Sequence, residues 1–161
     1  MSVQQKITTF LWFDHEAEEA ARLYVSLFPD SKILNIARYG EAGPGPKGSA
    51  MTVNFQLAGQ EFIALNGGPM YKFTEAVSLM VHCEDQKEVD GLWNRLTADG
   101  GEESMCGWLK DKYGLSWQII PTALFRLIGD SDPEKARRAT EAMLQMKKID
   151  IAALERAHAG K

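Results

Sequence analysis

The sequence predicts an α+β fold: two tandem βαβββ modules followed by a helical extension. Three observations predict it. Short β-branched and aromatic runs alternate with period two. The order strand, helix, three strands occurs twice. Residues 122–161 carry only helical spacing. The expected parts are a first module over 2–68, a second over 74–121, and an extension over 122–161, together one structural domain. A chain of 161 residues is long enough to bury such a core without disulfides or structural metals.

The elements follow in order. KITTFLWF, residues 6–13, reads as a strand. Asp14 is placed to cap the next helix, and Glu16, Glu18 and Glu19 suit its positive end. Ala17, Ala20, Ala21, Tyr24, Leu27 and Phe28 form its apolar stripe, and Pro29 stops it. Residues 32–39 read as a strand. GEAGPGPKG, residues 40–48, is a loop. No Gly-Lys-Ser/Thr closes it, so it is not a phosphate cradle. Strands over 50–57 and 60–65 flank a turn at Ala58-Gly59, and NGGP ends the first half.

The second half repeats that order. Residues 77–83 read as a strand. Val89, Leu92, Trp93 and Leu96 stripe a helix, ended by Gly100-Gly101. Strands follow over 102–105, 106–110 and 115–120, the last two joined by a turn at 111–114. A recurrence of this kind signals a repeated module. In the extension, 122–128 is a short helix. Asp132-Pro133 is a cap with proline in the first helical position. Ala136, Ala139, Met143 and Met146 give one stripe, and Ile151, Leu154 and Ala157 another.

Composition narrows the function classes. The chain is 45% hydrophobic and 25% charged, with net charge −4 and a pI near 5.4. An acidic chain lacks the basic face that nucleic acid or an anionic membrane requires. No run reaches the length of a membrane span, and MSVQQKITTFLWFDHE lacks the pattern of a signal peptide. Cys83 and Cys106 are expected to be reduced thiols in the cytoplasm.

Three stretches carry a resemblance: FLWFDHEAEEAARLYVSLFPDSKI, AGQEFIALNGGP and CGWLKDKYGLSWQIIP. With the tail DPEKARRATEAMLQMKKIDIAAL, they resemble the vicinal oxygen chelate superfamily of glyoxalases, bleomycin-resistance proteins and extradiol dioxygenases. The branch they are most similar to is the PhnB-like one, often labelled 3-demethylubiquinone-9 3-methyltransferase. The resemblance implies paired modules whose curled sheets form a cleft, and commonly a homodimer. In metal-dependent members it implies two ligands per module, one on the first strand and one on the last. Those positions fall here on Thr8, Ala64, Ser78 and Gln118. A Gln amide binds divalent ions poorly and cannot act as a general base. Neither a metal nor another cofactor is therefore expected.

The expected site is an apolar cleft with a few placed polar groups, the usual build of a small-molecule pocket. Its residues are Thr8, Phe10, Trp12, Asn54, Asn66, Ser78, His82, Cys106, Trp108 and Gln118. His82 shares a strand face with Ser78 and Met80, and would take the ligand role if the register were displaced by four. Cys106 is the one candidate nucleophile, or else a structural thiol. The two tryptophans line the pocket or belong to the core. The function expected is binding of a planar or aromatic small molecule. The alternative is an enzyme of the same fold, metal-dependent or acting through Cys106. The methyltransferase label lacks its usual Gly-rich loop after a first strand.

Overall fold

The computed structural model describes residues 4–161. The chain forms two compact units, the first running to Phe73 and the second spanning Thr74–Lys161.

In the first unit, β1 (Thr9–Phe13), β2 (Lys32–Arg38), β3 (Ala50–Leu57) and β4 (Gln60–Asn66) form one sheet in the order β1-β4-β3-β2. β1 runs parallel to β4, and the other neighbours are antiparallel. Alternation puts Leu11, Phe13, Val53, Phe55, Phe62 and Ala64 on the buried face. Helix α1 (Ala17–Val25) covers that face with Ala17, Ala20, Ala21 and Tyr24, all fully buried. Three alanines let the helix backbone lie close to the sheet, and Phe55 stacks on Phe62 at 5.5 Å.

Two local expectations need correction. Asp14 does not cap α1. The Asn66 side chain does so from the end of β4, its Oδ1 accepting from Ala17 N at 2.8 Å. The helix also ends at Val25, before Pro29, because the chain turns at Ser26, whose amide bonds back to Arg22 and Leu23 carbonyls.

In the second unit, β5 (Ser78–Cys83), β6 (Glu102–Glu103), β7 (Trp108–Lys110) and β8 (Ser116–Pro121) form a sheet in the order β5-β8-β7-β6. This is the wiring of the first sheet again, with β5 parallel to β8. Helix α2 (Gln86–Thr97) buries Val89, Leu92, Trp93 and Leu96 against Leu109, Trp117 and Ile119. Asp85 caps α2 by accepting from Glu88 N at 2.9 Å, and the Glu88 carboxylate accepts from Glu84 N at 2.8 Å. This reciprocal arrangement resembles a capping box.

Here too the expected boundaries shift. α2 stops at Thr97, and a single 3-10 turn at Ala98–Gly100 follows, with Asp99 at φ 56°. The expected strand over 106–110 loses its first two residues. Cys106 and Gly107 both take positive φ, at 58° and 84°. Their amides bond to Met146 O at 2.7 Å and Lys147 O at 2.8 Å. A contact with chain forty residues further on therefore converts a strand start into a turn.

The extension comprises α3 (Thr122–Ile128), α4 (Pro133–Leu144) and α5 (Ile151–Ala159). Ile120, Leu124, Leu127, Ala139, Ile149 and Leu154 form its buried cluster, with Met143 and Met146 packed against it. The methionines serve as core filling. Asp132 and Asp150 cap α4 and α5. Gln86 ties the extension to α2, donating to Ile149 O and accepting from Ile151 N.

Candidate functional site

Each sheet has one face under its helix and one open face. In the second unit, alternation on β8 sends Trp117 and Ile119 toward α2, leaving Ser116, Gln118 and Ile120 on the other side. Register extends this face across the sheet. Gln118 lies between Met80 on β5 and Trp108 on β7. Ser116 lies between Ser78 and Lys110, and Ile120 lies beside His82. The Gln118 Nε2 donates to Ser78 Oγ at 2.9 Å. The open face therefore brings together Ser78, His82, Trp108 and Gln118 of the predicted residues. His82 is exposed, its ring 5.7 Å from that of Phe125.

Two residues of this face escaped the sequence reading, Lys110 and Ser116. Alternation from Trp108 would have found Lys110, since Leu109 between them is buried. Lys110 Nζ pairs with the Glu75 carboxylate. That bond holds Glu75 below the usual carboxylate range and raises Lys110. Cys106 sits in the turn ahead of β7 as a half-buried free thiol. Cys83 is fully buried, and burial followed by the charges of Glu88 and Asp85 pushes its thiol up to about 12. Both cysteines are free thiols.

In the first unit, Phe10, Trp12, Asn54, Ile63 and Leu65 share the open face. Thr8 precedes β1 by one residue. Phe10 is 53% exposed. Trp12 is held more firmly: its indole N–H donates to Gly68 O at 2.9 Å, and Tyr71 meets its ring edge-on at 4.9 Å. A Cβ on Gly67 would lie 2.3 Å from that ring, so glycine is needed for the close approach. Asn66 has a scaffold role. Beyond capping α1, it donates to Ala50 O at 3.0 Å, and its carbonyl accepts from Tyr39 Oη at 2.6 Å. Its placement as a free cleft amide is corrected: the side chain joins α1, β3 and β4.

The donor set does not fit a metal of the kind the fold's metal-dependent members hold. Ala64 is fully buried on the helix-facing side. Its open-face neighbours on β4 are Ile63 and Leu65, so the ligand mapping slips by one residue, which in a strand reverses the face. Neither alternative brings a ligating atom. Gln118 already shares its amide with Ser78. Among the described residues, no three of His, Cys, Asp or Glu converge as a metal-binding group.

Two other concavities have structural explanations. A wide groove of about 810 Å³ in the second unit is lined by Asp85, Asp150, Arg126 and Glu155 among others. Its aspartates cap α2 and α5. A pocket of about 300 Å³ in the first unit is lined by Tyr39, Asn66 and the Pro-Gly loop. No helix among the described residues is long and apolar enough to cross a membrane.

Comparison with known proteins agrees with this architecture. A PhnB protein from Bacillus cereus is 43% identical over 73% of this chain and 100% of its own, with a TM-score of 0.68. Protein PA1353 from Pseudomonas aeruginosa shares the fold at 19% identity, covering 73% of this chain and 98% of its own, with a TM-score of 0.60. A glyoxalase-related enzyme from Fulvimarina pelagi matches at 19% identity over 76% of this chain and 91% of its own, with a TM-score of 0.48. No curated protein matches the sequence. The model of the 3-demethylubiquinone-9 3-methyltransferase family matches residues 5–120. With 43% identity to the PhnB protein and a family match over residues 5–120, the chain belongs to that PhnB-like 3-demethylubiquinone-9 3-methyltransferase family.

Proposed function

We propose that this protein binds a small planar or aromatic molecule, without a metal, on the open sheet face of its second unit. The Gln118–Ser78 hydrogen bond, flanked in register by Met80 and Trp108, carries the reading. A few fixed polar groups on an apolar wall are what orient a small ligand. Gln118 and Ser78 supply the hydrogen bonds, Trp108 a flat surface, and His82 and Cys106 the margin. The first unit's open face carries its own candidate contacts, Thr8, Phe10, Trp12 and Asn54. The working form in this reading is a cytoplasmic homodimer with both thiols reduced.

The family's name is that of a methyltransferase. The described elements offer little support for that activity here. A typical S-adenosylmethionine site needs a Gly-rich turn after the first strand of a parallel, doubly wound sheet. In this chain β1 leads into α1 through Asp14-His15-Glu16, and both sheets are mixed.

Two measurements test the binding reading. Titration of purified protein with nickel, zinc, manganese and ferrous iron is expected to show no stoichiometric uptake. One metal per chain, lost in Q118A or H82A, would overturn the metal-free reading. An NMR screen of aromatic fragments should shift the resonances of Ser78, Trp108 and Gln118. For a fragment so mapped, Q118A should weaken binding about threefold to tenfold, the worth of one hydrogen bond.

A further inference from the structure

The second unit buries a polar group that lacks a partner. Ser116 is 1% exposed, and among the described residues its Oγ has no hydrogen-bond partner. Buried hydroxyls in folded proteins are nearly always bonded, so an orphan marks a place where a bond is made to something else. Ser116 lines a pocket of about 170 Å³ together with Trp108, Lys110 and Glu75. Lys110 sits beside Ser116 in register, and its ammonium group is already bonded to a carboxylate, that of Glu75. Glu75 lies outside any helix or strand, 61% exposed at its side chain. An exposed ion pair of this kind is weak and readily exchanged.

We propose that this pocket is a carboxylate subsite: Lys110 and Ser116 receive the carboxylate of a small aromatic acid, Trp108 flanks its ring, and Glu75 competes for the same place. The proposal rests on the reading of this face as a small-molecule site and names the class of ligand. Charge sets the class more narrowly. Glu102 and Glu103 also line the pocket. Glu103 accepts from Trp93 Nε1 at 2.7 Å, which fixes its charge in place. With Glu75 they oppose a dianion, so a monocarboxylate fits and a phosphate ester does not. Ser116 supplies the O–H donor that an ammonium alone cannot direct, and it gains the bond it lacks.

The test is an NMR titration of the ¹⁵N-labelled full chain with benzoate, with benzamide and phenyl phosphate as comparisons. Benzoate is expected to shift Trp108, Lys110 and Ser116. E75Q should tighten benzoate about twofold to fivefold, by removing an exposed competitor. K110M should weaken it roughly tenfold, and S116A roughly threefold. Benzamide should bind with no response to E75Q. If benzoate affinity is the same in wild type, E75Q and K110M while benzamide still maps to Trp108, the subsite is wrong and the broader reading stands. If neither probe shifts this face, both fail. Phenyl phosphate binding tighter than benzoate would also overturn the proposal. K110M alters a half-buried side chain at the end of β7, so its result does not depend on the buried Ser116 tolerating substitution.

Discussion

The two units share one wiring and differ in how each helix is held. In the first, α1 has no side-chain cap of its own, and Asn66 reaches from the end of β4 to supply one. In the second, α2 is capped locally by Asp85 and Glu88. The difference has a consequence for chemistry. In the first unit, a polar residue at the strand end is tied into the scaffold. In the second, the strand residues are relieved of that duty, and Ser78, Lys110, Ser116 and Gln118 are left on the open face. A repeated fold thus carries one unit weighted to aromatic contact and one that adds polar groups.

The largest effect expected concerns the Cys106-Gly107 turn ahead of β7. Gly107→Ala should cost about 3 kcal/mol, from positive φ together with overpacking. An added Cβ would stand 2.7 Å from Ile120 Cδ1 and 3.1 Å from Ile119 O. Urea denaturation measures the loss. A loss below about 1 kcal/mol would mean the turn gives way, and the tail contact at Met146 and Lys147 is loose.

Next comes the direct test of the two caps. Asn66→Ala should destabilise by about 2–3 kcal/mol, since it removes a cap and leaves Ala50 O without its amide donor. Asp85→Ala should cost about 1 kcal/mol. Equal losses would erase the distinction drawn between the units.

The smallest effect is in the extension. Asp130 accepts from Asp132 N at 2.8 Å and meets His158 Nε2 at 2.7 Å. These bonds hold its carboxyl below the ordinary range, the backbone amide first. Because the folded pKa is depressed, its stabilisation is present above the unfolded value of about 3.9 and lost as pH falls through the folded one. Asp130→Asn should therefore lower Tm slightly at neutral pH and converge with wild type in acid. Parallel Tm curves down to the acid limit would show that Asp130 contributes nothing through its charge.

Much of this architecture was legible in local pattern. The alternation of AMTVNFQL marks β3 at its observed bounds, and the apolar TALFRLI marks α3. Asp132-Pro133 announces the start of α4. The face carrying Gln118 also follows from period two. The misses share a cause. The ligand position assigned to Ala64 falls one residue from the open face because pattern alone does not anchor register, and one residue turns a side chain to the opposite face. Asn66 looked like a free amide because its partners Ala17 and Ala50 lie 49 and 16 residues away.

The sequence by itself determined which segments are strands and helices, that the order repeats, and which residue types are absent from the expected ligand positions. These depend on local periodicity and on chemistry that no fold can change. Tertiary structure decided which polar groups belong to the scaffold and which stay on an open face. Asn66 was taken up as a cap, Cys106 was drawn into a turn by Met146, and Ser116 was buried beside Lys110 without a partner of its own. A hydrogen bond is satisfied in space, so its partner is known only when distant parts of the chain have met.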